Sequence, residues 1–108
     1  MMFISIHHVK DFFFELPKEK QVELMMGAFA CAEKYIKNGK CKVGYVFSDG
    51  KGTASVWDVD SAEEWMNICF EYPMNEYIEV ENIPIVGSEF ALKTLKQMVA
   101  AAKKAAKK

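Results

Sequence analysis

TASVWDVDSAEEWMNICFEYPMNEYIEVENIP, residues Thr53 to Pro84, holds a strand, a capped helix, a proline stop and a second strand in succession. ASVWDV is β-branched and aromatic, and it ends at Asp60-Ser61. Ser61 is a good N-cap, and Glu64 three residues later completes a capping box. Trp65, Ile68, Cys69 and Tyr72 then recur at one-face helical spacing until Pro73 stops the helix. From Tyr77 to Ile85 the chain alternates again, with Ile78 and Val80 on one face and Glu79 and Glu81 on the other.

Working outward, Cys41 to Phe47 reads as a strand joined to Thr53–Val59 by the Asp49-Gly50 hairpin loop. Before it, Lys18 to Asn38 carries apolar residues at Val22, Met25, Met26, Phe29, Ala32 and Ile36, which predicts a helix burying that face and ending at Asn38-Gly39. Met2 to His8 is a first strand, and Phe12 to Phe14 lie in the connection that ends at Pro17. These three rings cannot all be buried on one side of a loop, which suggests a lid or partner surface beside the plainer reading of a buried connection. Gly87-Ser88 opens a last helix with Leu92, Leu95 and Val99.

The order is βαββαβ plus one helix, so the fold class is α+β, a ferredoxin-like sandwich with an extra C-terminal helix. Residues 1–98 are expected to form one ferredoxin-like domain, and 99–108 an Ala/Lys-rich C-terminal helix end or tail. Two helices cover one face of such a sheet and nothing remains for the other. The layers therefore predict that two sheets pair face to face across a two-fold axis, as a homodimer.

Composition narrows the function classes. The chain has 14 basic residues, all lysine, so no planar guanidinium fork is available for a carboxylate or phosphate. Residues 1–88 carry 8 Lys against 14 acidic groups, net −6; residues 89–108 carry 6 Lys against Glu89, net +5. An acidic domain without Arg argues against a nucleic-acid partner. Neither a membrane span nor a leader pattern is read, and three unpaired cysteines, Cys31, Cys41 and Cys69, read as reduced thiols of a cytoplasmic protein. No metal-ligand spacing is present, so no metal is expected.

The polar candidates are few. His7 and His8 are adjacent on a strand and point to opposite faces. With Ile4 and Ile6 assigned to the helix-covered face, His8 goes with them, and His7 goes with Ser5 toward the open face. There His7 could meet Glu79 across an antiparallel pair, a carboxylate-oriented imidazole suited to moving a proton. Plainer readings are a satisfied core histidine and a solvated edge strand. Tyr45 and Trp57 share odd parity and are expected to wall a pocket with Tyr72 and Tyr77, although Trp57 also reads as an ordinary core aromatic.

ASVWDV, the capped helix, the Pro73 stop, Tyr77–Glu81, Asn38-Gly39 and the Met2-Phe3 start together resemble the muconolactone isomerases of the dimeric α+β barrel superfamily. The resemblance covers residues 2–86 and is clearest at 54–84. It implies a cofactor-free dimer or larger ring with a pocket for a small unsaturated or aromatic carboxylic acid. A proton would be moved by His7 or His8 with Glu79 assisting. At Gly27-Ala28 the chain has no carboxylate where that family places one, and its second strand holds Lys42 alone where the family's is basic. Two alternatives share the fold. One is a non-catalytic oligomeric binding module; the other is a haem or quinone monooxygenase using the Trp57 cleft.

Overall fold

The computed structural model describes residues 1–107. Four strands, β1 (Met2–Val9), β2 (Cys41–Val46), β3 (Gly52–Asp58) and β4 (Ile78–Pro84), form an open antiparallel sheet in the order β2-β3-β1-β4. Helices α1 (Lys18–Lys37) and α2 (Ala62–Glu71) cover one face, and α3 (Ser88–Ala106) follows β4. This α+β arrangement is compatible with a ferredoxin-like fold. Among the described residues no helix is long and apolar enough to cross a membrane.

Local chemistry explains the boundaries. Ser61 Oγ accepts the Glu64 N–H at 3.1 Å and caps α2. The Glu64 carboxylate does not close the box; it reaches Lys40 Nζ at 3.1 Å. Gly39, at φ 84°, takes the left-handed conformation that ends α1. Where α1 passes the end of α2, a Cβ on Gly27 would lie 3.1 Å from Pro73 Cγ, so glycine permits this close approach.

The two faces of the sheet are the reverse of the sequence expectation. Phe3, Ser5 and His7 are buried under the helices, while Ile4, Ile6 and His8 lie on the open face. Apolarity could not decide between them, because the covered face keeps polar Ser5 and His7 and the open face carries Ile4, Ile6, Val56 and Ile83. The register follows from this inversion. Val80 stands opposite His7 and Glu79 opposite His8, so the expected His7–Glu79 pair does not form.

A second correction concerns β2. Cys41 pairs with Trp57 but Val43 pairs with Val56, a bulge at Lys42 that reverses the parity of everything after it. Tyr45 therefore pairs with Ala54, itself opposite Ile6, and sits on the open face rather than beside Trp57.

Helix α1 also turns a different side inward. Gln21 and Ala28 are buried, with Leu24, Cys31 and Tyr35 partly so, whereas Val22, Met25, Met26, Phe29 and Ile36 are exposed. The core is accordingly two small clusters. Phe3, Cys41, Trp57, Val59 and Ile68 form one; Phe13, Ala28, Met74 and Ile78 form the other.

Of the three phenylalanines after β1, only Phe13 is buried, in a short 3₁₀ turn at Asp11–Glu15. The buried Gln21 holds that turn down by donating from Nε2 to the Leu16 and Phe14 carbonyls at 2.8 and 3.2 Å.

Helix α3 buries none of its described residues, and the molecule measures 70 × 27 × 21 Å. It runs without a break from Ser88 to Ala106, across position 98 and into the expected helix end or tail, of which Lys108 lies outside the described residues.

Candidate functional site

Small side chains at facing positions keep α1 from closing onto the sheet. Ala28 and Ala32 on α1 stand over Ser55 of β3 and Gly44 of β2, and a cavity of about 210 Å³ lies between them. Two smaller cavities adjoin it, of about 30 and 60 Å³, and all three have His7 and Tyr72 in their walls. One of these walls runs past Cys31, Trp57, Trp65 and Cys69, and the other past Phe13 and Phe29. Together they form an apolar cleft organised about one histidine.

His7 is held from behind. Its Nε2 lies 2.9 Å from Ser5 Oγ, which is fully buried, and the Tyr72 ring meets the imidazole edge-on at 5.5 Å between centroids. Its Nδ1 is buried and has no hydrogen-bond partner among the described residues. Leaving such an atom unsatisfied costs about 1–3 kcal/mol, so the position is one that folding stability alone would not select. Two neutral tautomers are available. If Nε2–H donates to Ser5, Nδ1 carries a lone pair; if the Ser5 hydroxyl donates, Nδ1 carries a hydrogen.

Electrostatics keep this ring uncharged. Burial lowers the His7 pKa from 6.5 to about 4, and burial likewise pushes the Tyr72 phenol up to about 12. At neutral pH the cleft holds a neutral imidazole and a protonated phenol. No lysine lines any of the three cavities, and Glu33 is the one ionisable carboxylate in their walls. The cleft thus disfavours anions.

Tyr72 is aimed by the junction of α1 and α2. Lys34 Nζ lies 2.6 Å from Glu71 Oε1, and the Tyr35 hydroxyl donates to Glu71 Oε2 at 2.5 Å. Exposed pairs of this kind add little stability. Their effect is orientation, because Glu71 is the last residue of α2 and Tyr72 follows it.

Not every expected site residue gathers here. His7, Trp57 and Tyr72 do. Tyr45 borders the β2 end of the largest of these three cavities, but its ring belongs to the open face and is 67% exposed. His8 and Glu79 are exposed neighbours on that same open face. Tyr77 packs away from the cleft against Phe12 and Phe13, at centroid distances of 5.3 and 5.6 Å.

Ser5 was expected only to share a face with His7, not to bond it, and Ser55 escaped the sequence reading. Ser5 stands two residues before His7 on the same face, and Ser55 Oγ accepts the Trp57 indole N–H at 2.8 Å, two residues along its own strand. A Ser-x-His and a Ser-x-Trp on paired strands were the available signals.

No group of three or more His, Cys, Asp or Glu converges as metal ligands among the described residues. A scan against models of known protein families finds no match, and a search of curated proteins finds none either.

Proposed function

We propose that the protein binds a small, neutral, largely apolar organic molecule in the cleft between α1 and the sheet. Its one polar group, a phenol, enol or ketone, would pair with His7. The observation that carries this reading is His7 in the wall of a largely apolar cavity, with its Nδ1 buried and without a hydrogen-bond partner among the described residues. A volume of about 210 Å³ is below the roughly 300–1,000 Å³ of pockets for drug-sized ligands, so the ligand is smaller than those and much smaller than haem. A carboxylic acid fits less well as its anion, since nothing cationic lines the walls.

Proton transfer is the second reading, and the same atom favours it. In the lone-pair tautomer Nδ1 would take a proton from an acidic C–H or O–H, while the Tyr72 phenol stabilises the oxygen that gains charge. A base whose conjugate acid has a pKa of about 4 is weak, so the substrate must itself be acidic. An activated enone or hydroquinone meets that condition better than a simple lactone does.

Both tryptophans of the chain line the cleft, so intrinsic fluorescence reports on it directly. Titration with 1-naphthol is expected to quench Trp57 and Trp65. His7→Phe should weaken 1-naphthol by up to about tenfold, the worth of one hydrogen bond, and leave naphthalene unchanged. Absence of quenching by either probe, or equal loss for both, would remove His7 from the site. A haem titration with no Soret shift would likewise set aside the monooxygenase alternative.

The muconolactone isomerase-like, homodimeric barrel belongs to the same proposal. Ile4, Ile6, Val56 and Ile83 form an apolar patch on the open face, beside Glu79 and Glu81 of β4, and such a patch is expected of a sheet face that is covered. Light scattering at micromolar concentration is expected to give a dimer. Ile6→Lys, at the centre of that face, should weaken it by about 2 kcal/mol or more, roughly thirtyfold in dissociation constant. A monomeric wild-type protein would refute the pairing.

A further inference from the structure

Two apolar stripes in this chain have no cover, and they match. On α1, Val22, Met25, Phe29, Ala32 and Ile36 recur at steps of three, four, three and four residues, and all but Ala32 are exposed. On α3, Leu92, Leu95, Val99, Ala102 and Ala106 recur at the same steps, and all are exposed. That spacing is the seam by which two helices pack side by side. Both stripes span 14 residue steps, about 21 Å at 1.5 Å per residue.

Charge is complementary as well. The last 20 residues carry +5 and the preceding 88 carry −6. Lys93, Lys96 and Lys103 directly follow stripe residues of α3, and Glu23 and Glu33, with Lys37, directly follow stripe residues of α1, although α1 as a whole carries four Lys against three Glu.

We infer that α3 is an arm that docks on the α1 stripe of a second copy of this chain. Its own domain is not the acceptor in this structure, since α3 projects from the end of β4 and buries nothing. A bilayer suits it less well than a helix does. Past Val99 its apolar side is alanine alone, which allows close helix approach but supplies little area for lipid.

The docked arm would also complete the cleft. Met25, Phe29, Ala32 and Ile36 form the outer rim of the cavities around His7. A helix laid on that rim roofs them. This second step rests on the proposal that the cleft takes a ligand, whereas the arm itself does not.

The test uses the full chain in heavy- and light-isotope forms, mixed, unfolded and refolded together. A photo-cross-linker is placed by Met26→p-benzoylphenylalanine, beside the stripe at an exposed position outside the cavity walls. The expected result is cross-links from position 26 to residues 92–106 that join heavy to light chains, lost in Leu95→Glu/Val99→Glu. That double variant should also bind 1-naphthol roughly tenfold more weakly.

Cross-links only between like isotopes would mean the arm folds onto its own domain, and the inference fails. It fails equally if no α3 cross-link forms while the protein co-sediments with phosphatidylserine vesicles. Heavy-to-light cross-links without any naphthol binding uphold the arm and overturn the ligand reading. The same cross-links with naphthol binding unaffected by the double variant uphold the arm and overturn the roof.

Discussion

Phe13→Ala is expected to lower the folding free energy by about 3–5 kcal/mol, read as a fall in the urea midpoint at unchanged slope. Phe13 is 1% exposed and one of the largest fully buried side chains among the described residues. It meets Phe14 and Tyr77 edge-on at 5.3 and 5.6 Å and packs with Ala28, Met74 and Ile78. This cluster joins the turn after β1, the middle of α1 and the start of β4. Nothing small can collapse into the space a phenyl leaves there, because the turn is fixed by the Gln21 hydrogen bonds to Phe14 and Leu16.

The neighbours supply the control. Phe12 and Phe14 are 45% and 43% exposed, so Phe12→Ala and Phe14→Ala should each cost only about 1 kcal/mol or less. Equal costs for all three would show that the triplet acts as one unit, against the packing described here.

Much of the fold was legible because its signals are local. The Ser61 cap, the Pro73 stop, the Asp49-Gly50 hairpin and the Asn38-Gly39 helix end each depend on a few adjacent residues. The faces were not legible, for three separable reasons. Both sides of β1 are partly apolar, so alternation shows that the strand is half-buried on each side without saying which side the helices take. The bulge at Lys42 changes parity within β2, and the strand's one glycine, Gly44, lies two residues beyond it and does not locate it.

Helix α1 carries two apolar sides. The side that carries Gln21, Ala28 and Cys31 together with Leu24 and Tyr35 packs inward, and the side of Val22, Met25, Phe29 and Ile36 stays outside. Bulk alone points to the wrong side, since the cleft requires small residues on the inner one. For the site, Trp57 and Tyr72 could be named from their strand and helix positions. His7 could be named only as one of a pair, because its separation from His8 depends on the face assignment.

That assignment has a measurable consequence in acid. His7 titrates near 6.5 when exposed in the unfolded chain and at about 4 in the fold, where burial penalises the charged ring. Above pH 6.5 the ring is neutral in both states and contributes no slope. As the pH falls from 6.5 toward 4, the unfolded state takes up a proton that the folded state refuses, and stability declines. Below about 4 both states hold the proton and the loss is complete.

The gap from 6.5 to about 4, at about 1.4 kcal/mol per pH unit, amounts to about 3 kcal/mol. Carboxylates also lose stability in acid. Glu71 and Glu33 titrate below their ordinary value, chiefly through hydrogen bonds from Lys34 and Lys37, so their contributions disappear at the lower end of the same range. His7→Phe separates the two causes, since it deletes the histidine and leaves both glutamates in place.

Urea unfolding from pH 7 to pH 4 should show the wild type losing about 3 kcal/mol more than His7→Phe, with the difference opening between pH 6.5 and 5. Parallel profiles would mean that the ring is solvated in the fold. The buried, unpartnered imidazole on which the ligand proposal depends would then be lost as well.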